Sequence, residues 1–284
     1  MPSNRSWLAA LSTDLTRQRR SLQCLLEFCE ESSLATSLSV GCSLGRNAAD
    51  ALSDVDAAIG VLAPCGTAGV EQVRGVERAI IDLLPTIGTL VDVLRQETAS
   101  HDFVIRRVFA QFEDRLQLDL AVVAEAEVRR GDAAPDFVPL YWSEDPETAV
   151  GPSAIEVSRE QLQDWSFLGW RALLDADKYL QRGSLWEAHQ RLHEARDRIW
   201  ALWAAANGAT YPWHGLSQVL DQDPCRLPAG IDQTVAGLES DDLRRAVMAA
   251  ADLLEHASSF AAQQCGVRLD MRMAGFAHHA LAHP

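Results

Sequence analysis

The chain has 284 residues, is 48% hydrophobic and 23% charged, and carries a formal net charge of −15; its mean hydropathy is −0.08. That length holds two modest domains or one large one with ample core, and no run of eighteen apolar residues occurs, so no membrane span is expected. The first 150 residues hold 13 Arg against 23 acids and the remainder 12 basic against 17 acidic residues, which offers no basic surface for a phosphate backbone and argues against a nucleic-acid partner.

Residues 1–35 read as one or two helices, with Leu22, Leu25, Leu26 and Cys29 spaced as one apolar stripe. Met1 to Arg5 lead into that mixed helix rather than into the apolar core of a secretion signal. The six cysteines are scattered without paired metal-ligand spacing. Reduced thiols in a cytoplasmic protein are the simplest expectation.

Residues 36–40 read as a short strand that ends in the turn Gly41-Cys42-Ser43-Leu44-Gly45-Arg46. With ten residues between it and Ser43, Asp54-Val55-Asp56 enters the apolar run Ala57-Ala58-Ile59-Gly60-Val61. Carboxylates at i and i+2 of a strand share a face about 7 Å apart. That spacing suits two hard cations about 3.5–4 Å from each other serving one phosphoryl group. The small Ser43/Gly45 turn lets backbone N–H groups approach a polyphosphate, and Arg46 offers a forked, permanently charged contact.

A helix is expected over Glu71–Leu84, closed by Pro85, then a strand over Thr86–Leu94. Val104–Ala110 and Leu116–Val123 read as two strands joined by the polar turn Glu113-Asp114-Arg115. Asp119 lies inside the second run, as Leu118-Asp119-Leu120, where a charge among apolar neighbours needs a partner. Together these elements predict an α+β domain over 1–135 with a small mixed sheet and helices on one side.

Residues 131–157 are rich in Pro, Gly and acids, and a linker is placed at 136–157. The second half is helical. Ser158-x-x-Gln161 and Ser184-x-x-Glu187 read as capping boxes, Gly183 and Asn207-Gly208 as helix ends, and 241–263 as a third long helix. An antiparallel helical bundle is expected over 158–265, followed by a tail at 266–284. On the helix 159–182, Leu162, Trp165, Gly169, Ala172, Leu173, Ala176 and Leu180 form an apolar stripe; Asp164, Arg171, Asp175, Lys178 and Arg182 form a charged one. Lys178 is the single lysine among 25 basic residues, and an ammonium is a compact, mobile charge for phosphate. Six of eight tryptophans fall between 165 and 213 and read chiefly as bundle core, with Trp213 on a loop; His278, His279 and His283 read as surface or disordered residues.

Ser43-Leu44-Gly45-Arg46, Ser53-Asp54-Val55-Asp56, Gln117-Leu118-Asp119-Leu120 and the stretch Lys178 to Ala188 resemble the nucleotidyltransferase superfamily of DNA polymerase beta. Within it the likeness is to aminoglycoside and lincosamide nucleotidyltransferases and their uncharacterised bacterial relatives, over roughly residues 25–255. The resemblance implies a Mg²⁺-dependent transfer of a nucleoside monophosphate, AMP from ATP being the expected case, to a hydroxyl of a small molecule such as an aminoglycoside-type antibiotic, with release of pyrophosphate. It implies Asp54, Asp56 and Asp119 as catalytic ligands of two Mg²⁺ ions, and Ser43, Gly45, Arg46 and Lys178 as nucleotide contacts. The proton acceptor is Asp119 or a carboxylate of the helical half such as Asp175 or Glu187. A protein-modifying, AMPylating enzyme and an inactive nucleotide-binding relative stay open as alternatives. One departure stands out: the family has Gly before the Ser, where this chain has Cys42, and a cysteine pointing away from the ligand is the favoured account.

Overall fold

A computed structural model of the chain describes residues 4–64, 67–99, 104–124, 136–143, 157–222 and 226–282. The chain divides into two compact units, Met1–Ala154 and Ile155–Pro284.

The first unit is an α+β structure built on a six-stranded mixed sheet. Its helices are α1 (Arg5–Ala10), α2 (Thr16–Glu31), the single turn α3 (Cys42–Gly45) and α4 (Thr67–Ile87). The strands β1 (Ala35–Val40), β2 (Val55–Val61), β3 (Leu90–Ala99), β4 (Val104–Phe112), β5 (Gln117–Ala124) and β6 (Val138–Trp142) lie in the order β3-β4-β5-β2-β1-β6. Only β2 and β5 pair in parallel. Alternation does the sorting, because side chains two apart share a sheet face. Val55, Ala57, Ile59 and Val61 of β2 and Leu118, Leu120 and Val122 of β5 turn to one face. There they meet Leu22, Leu25, Leu26 and Cys29 of α2 and Val73, Val76, Ile80 and Leu84 of α4 in one buried core.

Three boundaries differ from the sequence expectation. The helix α4 runs through Pro85 to Ile87: a proline in the last turn forfeits one bond to the carbonyl four residues back, while Leu84 and Ile87 on either side of it stay buried. The next strand therefore starts at Leu90, not Thr86. Val138–Trp142, read as the beginning of the linker, instead forms β6 against β1; its alternation is masked by Pro139, which an edge strand tolerates. Most of the remaining linker stretch, 144–156, lies outside the described residues.

The second unit packs α5 (Arg159–Gln181), α6 (Leu185–Ala206) and α8 (Ser240–Gln264) around Leu173, Leu192, Ile199, Leu243, Val247 and Leu254, with the shorter α7 (Gly215–Gln222) beside α6. Ser158 caps α5 by accepting from the Gln161 N–H at 3.1 Å. Ser184 precedes α6 without a side-chain cap bond, so the second capping box does not form. Gly183 and Gly208 end their helices at φ of 71° and 70°, the left-handed geometry that glycine adopts without penalty. Trp165, Trp170 and Trp200 are buried, while Trp186 and Trp213 are exposed. Residues 272–282, expected as tail, form the helix α9 with Ala274, Ala277 and Leu281 buried. His278 stands edge-on to Trp170 with ring centroids 5.1 Å apart and lies 3.0 Å from Glu255. An apolar i, i+3, i+7 spacing carried by two alanines and one leucine is a weak signal, and the helix exists because α5 offers it a partner. His283 lies outside the described residues.

Candidate functional site

The sheet face opposite α2 and α4 carries the predicted carboxylates. Strand pairing lines up Leu94 with Phe109, Phe109 with Asp119, and Asp119 with Asp56. A straight row of four side chains thus crosses β3, β4, β5 and β2. Asp54 lies two residues ahead of Asp56, just before β2 begins. On the other side of Asp56 is the turn after β1, fastened there because the Gly41 N–H donates to the Asp56 carbonyl at 2.9 Å. The sheet therefore brings Asp54, Asp56, Asp119 and the Ser43 turn to one place, from segments up to 76 residues apart (43 to 119). With Asp92, Leu94, Phe109, Gln111 and Gln117, the three carboxylates line an open hollow of 420 Å³.

The electrostatics of Asp54, Asp56 and Asp119 follow from burial first and from neighbouring charges second. Burial and then the nearby Asp119 push the Asp56 carboxyl up to about 6, with Asp54 adding to the rise; a hydrogen bond from the Cys42 thiol and the charge of Arg107 act against it. Burial raises Asp54 and Asp119 as well; Asp119 adds to the rise at Asp54, while Arg107 opposes it at Asp119. Arg107 comes from β4, pairs with Asp119, and lays its guanidinium over the Phe109 ring at 4.9 Å. Its neighbour Arg106 points to the opposite face, where it and Arg95 hold the fully buried Glu77 of α4.

The turn differs in detail from the expectation. Cys42 is not turned away: it stands at φ 54°, a left-handed conformation costing a non-glycine residue about 1–2 kcal/mol, and its thiol bonds to Asp56. Burial, with repulsion from Asp56 and Asp136, raises that thiol to about 12, so it remains a neutral donor. Gly45 is required by the chain itself, since a Cβ there would lie 1.8 Å from the Asp136 carbonyl oxygen. Arg46 is held by the buried Asp136 at 2.6 Å. The Ser43 hydroxyl makes no hydrogen bond among the described residues. In the second unit, Lys178 is exposed on α5, paired with Asp175 and 5.0 Å from the Tyr179 ring.

Asp54, Asp56 and Asp119 are the side chains that could hold a divalent cation, though no three His, Cys, Asp or Glu side chains among the described residues converge tightly enough to enclose an ion. Carboxylate oxygens are the donors that Mg²⁺ takes. Burial in the hollow raises the Asp54, Asp56 and Asp119 carboxyls, and a cation relieves that cost. Arg107 supplies part of this positive charge from within the chain. Sequence reasoning missed Arg107, Phe109 and Asp92, although the Glu113–Arg115 turn fixes the hairpin register that places Phe109 opposite Asp119.

No protein-family profile matches the chain, and no curated protein sequence matches it. Solved structures similar to it include two nucleotidyltransferase-type proteins. One is an aminoglycoside 6-adenyltransferase from Bacillus subtilis, at 12% identity and a TM-score of 0.40, aligned over 95% of this chain and 99% of that one. The other is a nucleotidyltransferase-like protein from Exiguobacterium sibiricum, at 14% identity and a TM-score of 0.37, over 87% of this chain and 77% of that one. At these values neither likeness adds weight to a functional reading.

Proposed function

We propose that the chain is a nucleotidyltransferase that moves a nucleoside monophosphate from a nucleoside triphosphate to a hydroxyl of a small molecule. One observation carries this reading: Asp56 and Asp119 are direct partners on adjacent parallel strands, with Asp54 two residues ahead, beside a Gly/Ser turn and facing an open hollow. Asp54, Asp56 and Asp119 would hold divalent cations. Such ions, Mg²⁺ by donor chemistry, supply charge neutralisation at the transferring phosphoryl group and lower the pKa of the acceptor hydroxyl. The acceptor oxygen forms its bond to the α-phosphorus as the bond to the bridging oxygen breaks, and pyrophosphate leaves with that electron pair. Asp119 takes the acceptor proton. Ser43 supplies a free hydroxyl to the phosphate tail. Arg46, fixed by Asp136, holds the turn in shape.

The hollow also speaks to the acceptor. Asp54, Asp56, Asp92 and Asp119 line it and outnumber Arg107, which pairs with Asp119 at its edge, and a negative cleft concentrates cations. A cationic acceptor of the aminoglycoside type, with ATP as the first donor to assay, fits this lining. Pyrophosphate release from ATP and Mg²⁺ across a panel of aminoglycosides and lincosamides tests the reading. Asp56→Asn, which replaces a cation ligand by a neutral amide of equal size, should remove at least nine-tenths of any turnover, about 1.4 kcal/mol or more in the barrier. Turnover above a tenth of wild type in that variant refutes the cation-ligand assignment.

A second reading has support from one observation. Cys42 occupies a left-handed position and ties up Asp56, as expected of a relative that binds nucleotide without transferring it. Tight MgATP binding with no pyrophosphate release across the panel would favour it.

A further inference from the structure

The second unit contains a pocket lined by its own residues. It has a volume of 180 Å³ and lies between α5 and α6, lined by Leu168, Arg171 and Asp175 of the one and Arg191, Glu194 and Arg198 of the other. Helical spacing aligns each set: Arg171 and Asp175 are four apart, while Arg191, Glu194 and Arg198 follow at three and four. The two helices approach closely here because α5 has Gly169, where an added Cβ would lie 3.3 Å from the Arg198 Cβ and 2.9 Å from Leu254.

The pairing inside the pocket is uneven. Glu194 accepts from Arg191 at 2.8 and 2.7 Å and from the Gln190 side-chain amide at 3.5 Å. Asp175 is bonded by Lys178 and lies 4.0 Å from Arg171. Each carboxylate is thus already matched. Arg198, half-buried, makes no hydrogen bond or ion pair among the described residues. A guanidinium carries five donors in a planar fork that fits carboxylate and phosphate oxygens, and a partly buried donor left unbonded is costly. In a chain of net charge −15, the lining of this pocket has three arginines, Arg171, Arg191 and Arg198, against two carboxylates, Asp175 and Glu194.

We infer that this pocket binds a phosphate-type oxyanion, with Arg198 as its principal contact and Arg171 and Arg191 closing around it. The volume exceeds that of several water molecules at about 30 Å³ each, so an inorganic phosphate fits and a bulky organic group does not. The phosphoryl group comes either from free phosphate or pyrophosphate or from the tail of a nucleotide. Its lining residues all belong to the second unit, so the inference does not rest on the proposed transfer.

The test is calorimetric titration of the full chain with inorganic phosphate, and separately with pyrophosphate, in metal-free buffer. Saturable binding is expected. Arg198→Gln should weaken it about tenfold or more, the loss of one charge-assisted contact. Arg171→Gln, on an exposed side chain that folding does not need, should weaken it by a smaller factor, and Asp56→Asn should leave it unchanged. A non-hydrolysable ATP analogue that displaces phosphate identifies the nucleotide tail as the source; one that does not identifies a separate anion, and both support the site. Absence of saturable binding overturns the inference, as does binding that neither arginine variant alters or that Asp56→Asn abolishes.

Discussion

Replacing Arg107 by Gln should tighten divalent-cation binding. In the structure Arg107 is the internal counter-charge of the carboxylate row: it pairs with Asp119 and rests on Phe109 at 4.9 Å. A cation entering at Asp119 must displace that guanidinium or share the carboxylate with it. The pair is 45% and 24% exposed, so solvent screening holds its worth near about 1 kcal/mol, and the stacking on Phe109 adds roughly 0.5–1 kcal/mol. Losing this competitor, together about 1.5–2 kcal/mol, should strengthen binding by roughly ten- to thirtyfold. Part of that gain should appear in Phe109→Leu, which loosens the arginine without removing its charge. Electron paramagnetic resonance of free against bound Mn²⁺ reads the affinity directly and needs neither nucleotide nor acceptor. Equal or weaker Mn²⁺ binding in Arg107→Gln refutes the argument, because Asp119 would then not be a cation ligand in competition with Arg107.

Cys42→Gly relieves a left-handed φ but adds a glycine's unfolded-state entropy of about 0.5–1 kcal/mol, so thermal stability should stay nearly level while MgATP binds a few-fold more tightly, the thiol no longer occupying Asp56; weaker binding would make the thiol a productive contact. Glu77→Gln should cost about 3 kcal/mol, since it leaves Arg106, 12% exposed, beside a neutral amide, a fall of roughly 6–12 °C in the first unit's melting temperature. Its pH dependence has a definite sign: burial raises the Glu77 carboxyl, but hydrogen bonds from Arg95 and Arg106 outweigh this and hold it below its ordinary 4.5. The stabilisation is therefore complete above that ordinary value and lost as the pH falls through the depressed one, so wild type and Glu77→Gln should converge in acid, and a gap that stays constant down to pH 3 would rule the network out as its source.

What was legible in the sequence was local. The strands β2 and β5 announce themselves by alternation, Ser158 by its cap, and Gly183 by its place after a periodic stretch, because each of these is decided within a few residues of chain. Elements whose existence depends on a distant partner were not. The edge strand β6 carries a proline and borrows its hydrogen bonds from β1, a hundred residues earlier, while α9 has only small apolar residues and depends on α5 for a surface. Pro85 misled for the opposite reason: its local cost is real, but burial of Leu84 and Ile87 against the sheet outweighs one missing hydrogen bond.

The site divides along the same line. Asp54, Asp56 and Asp119 are visible from residue type and spacing, since a charge inside an apolar strand must have a purpose or a partner. What sequence cannot weigh is how the chain's own atoms compete for the same groups. Arg46 and Gly45 look like a phosphate cradle, yet Asp136 claims both, one by an ion pair and one by backbone contact. Cys42 looks like a harmless substitution, yet it bonds to the central carboxylate. Arg106 and Arg107 are adjacent and chemically identical, and the strand pleat sends one to Glu77 in the core and the other to Asp119 in the hollow. The only lysine follows the same logic, being matched by Asp175 on its own helix. Arg198, by contrast, drew no attention in the sequence, since nothing in an arginine's neighbours along the chain tells whether its fork will be met. The positions that deserve mutation first are therefore the cations, Arg107 and Arg198, one whose partner is a proposed cation ligand and one whose partner is missing among the described residues.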